Sequence, residues 1–356
     1  MWDLAVREDD YEAVDTMLAR YSDAPLSYRI VPVYARRDTA AMSRVFEEAR
    51  QLDARQSQIA GRYVAIHLDD FAAAERLARL DLQPRRNAAM RLGAQSFLAW
   101  LEVARGRWRD ARAAFAAAER MEGGHTVRVE RALAATLPFT VVPQDELRAI
   151  RTGVAAWNPR VDPGLSLAPP PPPLMIALRP HLRLYLLGLL SAKLGDLDGA
   201  TAYAVQLEAL DAPPATRRTI DGLVATIRAD VALRRNRPSD ALELLQTADG
   251  HVPFELVQLK AFAATREFTQ EHARFLRAEA LQRLGRDAEA RQWLETSFQG
   301  SPLELVYLAP VKLRLAEVLR RQGDTVQAAA HQRSGELLWR DADSGAAYPE
   351  RRPAPR

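Results

Sequence analysis

One arrangement recurs along the 356 residues and restricts what they can build. A run of apolar helix formers ends at Gly or Asn, and five residues later stands an alanine: Gly106 and Ala111, Gly195 and Ala200, Asn236 and Ala241, Gly285 and Ala290, Gly323 and Ala328. Gly or Asn just past a helix accepts the left-handed conformation that closes its last turn, where a β-carbon crowds the backbone. The alanine lets two helix backbones approach. The larger residue four positions on, Phe115, Leu245 or Leu294, fills the space between units. The spacing therefore predicts a helix, a tight turn and an antiparallel helix, repeated.

Weaker copies extend the series towards the amino terminus, with turns at Asp9 in REDDYEAVDTML, Arg37 in ARRDTAAMSRVFEEA and Asp69 in HLDDFAAAERLARL. Arg37 is the poorest turn residue of the set. Successive turns lie 28 to 49 residues apart, except for 89 between Gly106 and Gly195. That gap accommodates one more hairpin, RVERALAATLPF followed by PQDELRAIRTGVAAW, with Pro143 opening the second helix. The expected fold is all-α: an α-solenoid of about eight or nine antiparallel helical hairpins, in which each unit buries its apolar face on the next.

Composition agrees and removes several classes of function. Hydrophobic residues make up 48%, and only 17 glycines are present, which suits helices. With no cysteine, disulfides, thiolate metal sites and cysteine nucleophiles are excluded, and a reducing, cytoplasmic location is expected. The segment MWDLAVREDDYEAVD carries acids where a signal peptide needs basic and apolar runs. The longest strongly apolar run, LYLLGLLSA from Leu184 to Ala192, is about half the roughly 20 residues of a membrane span, so it predicts a buried helix.

Interruptions divide the chain into expected segments: a first sub-array over 1–157, a proline-rich linker over 158–173, a second sub-array over 174–341 and a disordered tail over 342–356. The linker, NPRVDPGLSLAPPPPP, holds seven prolines, which favour extended polyproline II over helix. A docking site for a proline-recognising domain is the other reading, but no arginine stands at the flanking spacing such ligands use. At the start, only about two helical turns precede Asp9. The apolar face around Leu4, Val14 and Leu18 is then expected to be uncovered, as in a carboxy-terminal piece of a longer architecture or a chain capped by a partner.

In the order Gly106, Trp108, Ala111, Phe115 and Ala118, the segment RGRWRDARAAFAAAER resembles the tetratricopeptide repeat, whose pattern of about 34 residues places a glycine, an aromatic, an alanine, an aromatic and an alanine at these positions. The resemblance covers residues 2–341 outside the linker. HLRLYLLGLLSAKLGDLDGA, LELVYLAPVKLRLAEVLRRQGD and LLWRDAD also look like repeat regions appended to large bacterial regulators. In such proteins a kinase or DNA-binding domain precedes the repeats.

Catalytic patterns are missing: no phosphate loop, no G-x-S-x-G elbow, no H-E-x-x-H and no calcium loop. Glu267, Glu271 and His272 are the best metal-like cluster, yet Arg266 and Arg274 beside them favour a solvated helix face with ordinary ion pairs. No enzyme activity, cofactor or metal is expected. Arg105, Arg107, Arg109, Arg112 and Arg120 do not form one stripe, and only three of the 49 basic residues are lysines. They are expected mostly on the wet side of the hairpin, which makes nucleic-acid binding the weaker alternative.

An ordered charge pattern precedes the later turns. Six residues before each stands an acid (Asp230, Glu279, Glu317), and two before it a base (Arg234, Arg283, Arg321), the favourable order for i, i+4 ion pairs. Lys193 extends the basic row. The resemblance implies that both rows, with Tyr185, Thr226, Phe275 and Leu313 ten residues before their turns, line a concave groove that holds a partner's protein or peptide segment. The acids there disfavour a carboxylate ligand and suit a mixed-charge partner with an apolar anchor. The expected role is a non-catalytic interaction scaffold in a bacterial signalling or transcription system.

Overall fold

The computed structural model describes residues 5–6, 8–21, 24–51, 56–159, 173–248, 271–296 and 304–343. Among them are seventeen α-helices and no strand. After a turn at Asp9, α1 (Tyr11–Ala19) is the second helix of a first unit. Eight hairpins follow: α2 (Leu26–Ala35) with α3 (Thr39–Gln51), α4 (Gln56–Leu68) with α5 (Phe71–Arg79), α6 (Ala88–Ala104) with α7 (Trp108–Glu119), α8 (Val127–Thr136) with α9 (Gln144–Ala156), α10 (Pro173–Lys193) with α11 (Leu197–Ala209), α12 (Arg217–Arg234) with α13 (Pro238–Leu244), α14 (Glu271–Arg283) with α15 (Asp287–Glu295), and α16 (Leu308–Arg321) with α17 (Thr325–Leu338). The architecture is an all-α helical-repeat solenoid.

All eight anticipated turn residues are left-handed. Gly106, Gly195, Gly285 and Gly323 have φ of 72–87°, and Asp9, Arg37, Asp69 and Asn236 have φ of 54–57°. Arg37 adopts this conformation against its preference because the hairpin around it requires the turn. Asp then caps the second helix in five turns: Asp10, Asp38, Asp70, Asp196 and Asp324 accept from backbone N–H groups of the first helical turn. At the other three an arginine follows the turn, and it pairs locally instead, Arg107 with Asp110, Arg237 with Asp240 and Arg286 with Glu289.

The recurring alanines have the packing task their spacing predicts. Ala111, Ala200, Ala241 and Ala290 are fully buried, as are Phe115 and Leu245. Trp100 meets Phe115 edge-on with centroids 5.8 Å apart, joining the two helices of one hairpin. Trp108 donates from Nε1 to Glu146 at 3.1 Å, tying that hairpin to the next. Leu186, Leu187, Leu189 and Leu190 are buried, so the most apolar run is a core helix. None of the described helices is long and apolar enough to cross a membrane.

The expected segments meet the described residues only in part. Residues 160–172 of the proline-rich stretch lie outside the described residues. The helices on either side of it, α9 and α10, pack together, and Leu147, Ile150 and Val154 share one core with Leu178 and Leu182. Val14 is fully covered, because α2 closes over α1; Leu4 lies outside the described residues. Of the expected tail, Ala342 and Asp343 are described, with Asp343 in contact with Gly106 and Arg109; residues 344–356 lie outside the described residues. The arginines of RGRWRDARAAFAAAER are not uniformly wet: Arg105 pairs with Glu75 at 2.8 Å and Glu102 at 2.7 Å, and Arg107 also pairs with Glu102.

The stack curls until its last hairpin rests on its middle. Trp339 donates from Nε1 to the Ala104 carbonyl at 2.9 Å, and the Asp343 amide donates to the Gly106 carbonyl at 3.1 Å. The Arg109 amide donates to the Asp343 carboxylate at 2.9 Å, and Lys312 pairs with Asp69 at 2.9 Å. The first helices of successive hairpins pack on one another, α8 on α10, α10 on α12 and α12 on α14, and the row they form, where Phe139, Phe275, Tyr307 and Trp339 meet, is taken as the inner wall.

Candidate partner-binding surfaces

The three acid and base pairs form as their spacing predicts. Arg234 Nε lies 3.1 Å from both Asp230 oxygens, Arg283 donates to Glu279 at 2.7 Å, and Arg321 donates to Glu317 at 2.5 Å. Their surroundings differ. Arg321 also donates to Asp287 at 2.7 and 2.8 Å and stays at the surface with Glu317. Glu279 is buried and accepts a second bond, 2.7 Å from Arg314, which lies 4.3 Å above the Phe275 ring. Burial pulls the Arg314 guanidinium down to about 9.

The rest of the expected groove is closed. Tyr185, Thr226, Asp230, Phe275 and Glu279 are buried, and Leu313 is partly buried against α17, where a β-carbon on Gly335 would meet it at 2.8 Å. Thr226 returns its hydroxyl proton to the Gly222 carbonyl at 2.7 Å. The reason is the curl of the stack, which brings Phe139, Tyr307 and Trp339 onto this wall. Phe139 lies 5.5 Å from Phe275, 5.3 Å from Tyr307 and 6.2 Å from Trp339, by ring centroids. Of the expected contact residues, Lys193, Leu313 and Arg283 keep partial exposure, and Arg234, Glu317 and Arg321 reach water.

Lys193 closes the inner face of α10. Its Nζ donates to the carbonyls of Leu137 and Thr140, both at 2.6 Å. Loss of hydration, reinforced by the nearby Arg234 charge, pulls the ammonium down to about 7. His272, taken from sequence as part of a solvated face, is buried with Glu271 at the start of α14. Desolvation, then the charges of Lys193 and Arg234, holds its imidazole neutral, with the pKa pulled down to about 3. Glu271 lies 3.8 Å from Arg274; Glu267 is outside the described residues.

An open surface lies on the other side of the wall. Between α11 and α13 lies a groove of about 1110 Å³ floored by α12. Val224, Ala225, Val231 and Ala232 recur at helical spacing along its floor and are themselves buried, so most of what the groove presents to solvent is its polar and charged rim. Charged pairs flank it: Arg228 with Glu208 at 2.6 Å, Arg235 with Asp198 at 2.7 Å and Arg237 with Asp240 at 3.2 Å. Hydrogen bonding to Arg228 holds the Glu208 carboxyl below its usual range. A smaller notch of about 270 Å³ recurs where α6 shows between α5 and α7. Beside the α12 groove the second helix, α13, has only seven residues and continues as a 3-10 turn over Leu245–Thr247. Sequence reasoning missed it, since the signal is a shortened second helix rather than a motif.

A family model described as tetratricopeptide repeat matches residues 272–296 and 309–333, which span α14–α15 and most of α16–α17. No curated protein matches the chain. Repeats of this kind in general make protein–protein interaction scaffolds. The chain therefore carries two tetratricopeptide repeats, and the hairpins before them share their left-handed turn and buried alanine.

Proposed function

We propose that this chain is the interaction module of a bacterial signalling or transcription system, and that it docks a helical segment of a protein partner in the groove between α11 and α13. The observation that carries the reading is the groove itself, about 1110 Å³, with paired charges along its rims and a narrow apolar floor on α12 whose side chains are themselves buried. A mixed-charge helical segment fits such a site chiefly through charges that exchange with the rim pairs, its apolar side resting on the narrow floor. The rim favours a mixed-charge partner over a phosphate backbone, because Arg228, Arg235 and Arg237 each already face a carboxylate. The likeness to repeat regions of bacterial regulators supports a kinase or DNA-binding domain as the functional companion. The lack of cysteine fits a cytoplasmic setting.

The test is affinity capture with the wild-type chain and with Arg228→Glu/Arg235→Glu, which reverses one row of the rim. Partner recovery is expected to fall at least tenfold while helical content stays unchanged. Equal recovery by both proteins refutes the groove, and loss of recovery in Arg321→Glu instead moves the contact to the exposed end of α16.

A further inference from the structure

The groove between α11 and α13 suits a helix of mixed charge with a narrow apolar side, and the chain itself carries such a helix with that side uncovered. On α17, Ala328, Gly335 and Leu338 are buried against the core, while Val326 and Leu337 stand 80% and 64% exposed on the opposite face. Val326, Ala330, Arg333 and Leu337 follow one another at spacings of four, three and four, so they form one stripe along the helix. Large apolar side chains exposed together on one face mark a contact surface, whereas singly scattered ones do not.

The charges of the two surfaces complement each other. Arg333, in the middle of the stripe, is exposed and stands in no ion pair among the described residues. Glu243, on the α13 wall of the groove, is exposed and equally without a cation among them. Glu336, beside the stripe, accepts from Gln332 at 2.7 Å and has no cation of its own, while Arg228 and Arg235 stand on the opposite rim of the groove. The lengths agree as well: α17 has fourteen residues, about 21 Å, and the groove follows α12 from Arg218 to Arg235, about 25 Å. Trp339 ties the end of α17 to the Ala104 carbonyl, which holds the helix away from the groove of its own chain.

We propose that a second copy of this chain occupies the groove, α17 of one copy lying along α12 of the next with Val326 and Leu337 turned to the floor and Arg333 paired with Glu243. The inference rests on the groove being a helix site, as proposed above, and names a partner for it. Because the two surfaces differ, the contact is head to tail. Each added copy then leaves one groove and one α17 open, which builds a ring or a filament rather than a closed pair.

Sedimentation velocity of the purified full chain, from micromolar to hundreds of micromolar, is expected to show at least a twofold rise in average mass. Val326→Glu/Leu337→Glu on α17 and Arg228→Glu/Arg235→Glu on the groove are each expected to stay monomeric with unchanged circular dichroism. Mixed together, they should form a one-to-one complex and nothing larger, since one brings an intact groove and the other an intact α17. Glu243→Arg or Arg333→Glu alone should weaken association at least fivefold, and both in one chain should restore it; Glu243→Arg serves as the groove variant if the double arginine variant loses helical content. A wild-type chain that stays monomeric overturns the proposal, as does assembly in either double variant or a mixture that does not combine. Capture of a foreign partner that depends on Arg228 and Arg235, by a chain that stays monomeric, overturns the second copy alone and leaves the groove in place as a helix site.

Discussion

Replacing Gly106 by alanine isolates the contact that closes the solenoid. Two separate costs arise. At φ of 72°, an L-residue pays about 1–2 kcal/mol for the left-handed conformation. The new β-carbon also lands 2.9 Å from the Ala342 β-carbon and 3.4 Å from the Trp339 ring. Overpacking of this kind costs about 1–3 kcal/mol. Gly195, Gly285 and Gly323 provide internal controls, because they share the left-handed φ and a β-carbon there meets nothing within 4 Å. Each control is expected to lose only the conformational part, about 1–2 kcal/mol, whereas Gly106→Ala loses about 2–5 kcal/mol. Adding Ala342→Gly to Gly106→Ala should return it to the level of the controls. Urea unfolding followed by circular dichroism measures all five proteins. Hydrogen exchange at the Asp343 amide, which donates to Gly106, reports the contact directly. If the four glycine variants agree within about 0.5 kcal/mol, the usual limit for distant independent sites, the closure carries no measurable strain and the reasoning fails.

Three further perturbations test the inner wall and the turns. Arg37→Gly relieves a left-handed arginine and should raise stability by about 0.5–1 kcal/mol, less than the full conformational penalty because glycine also loosens the unfolded chain; a lower melting temperature would contradict the assignment of that turn. Glu279→Ala strips the carboxylate shared by Arg283 and Arg314, and a loss of about 3–5 kcal/mol is expected, whereas a surface pair would cost under about 1 kcal/mol. Lys193 has a folded pKa of about 7 against an ordinary value of 10.5, so between these values the unfolded chain holds more protons and stability rises with pH. The cost of its buried charge is complete below about pH 7 and is relieved as pH climbs towards 10.5; the difference in melting temperature between wild type and Lys193→Met, followed from pH 6.5 to 9, should shift accordingly, and a flat difference refutes it.

The turns and the packing alanines were readable from sequence because each answers to a local demand. A left-handed residue must sit where one helix reverses into the next, and a residue as small as Ala111 or Ala290 must sit where two backbones approach. Even Arg37 could be placed, by the rhythm of its neighbours, although its own chemistry argues against the position. The i, i+4 pairs from Asp230, Glu279 and Glu317 are equally local. Whether those pairs face water or the interior was not readable, since it depends on small rotations accumulated over several hairpins. Trp339 illustrates the limit: its partner is a backbone carbonyl at Ala104, which has no side-chain identity for a sequence pattern to recognise. The α12 groove was hidden for a related reason, because the brevity of α13 shows only once the helix has been seen to end.

Joining Trp339 and Asp343 to the turn at Gly106 also bears on how the chain acquires its structure. In an open row of repeats every contact is short in sequence, so folding starts anywhere and spreads, and the end units come loose first. Here the last unit is held by contacts spanning 234 and 235 residues, which form only after the loop between them has closed. Such contacts raise the average sequence separation and slow the final step of folding relative to an open row of the same length. Once made, they remove a free end, and the carboxy-terminal hairpin can separate only by breaking the ring.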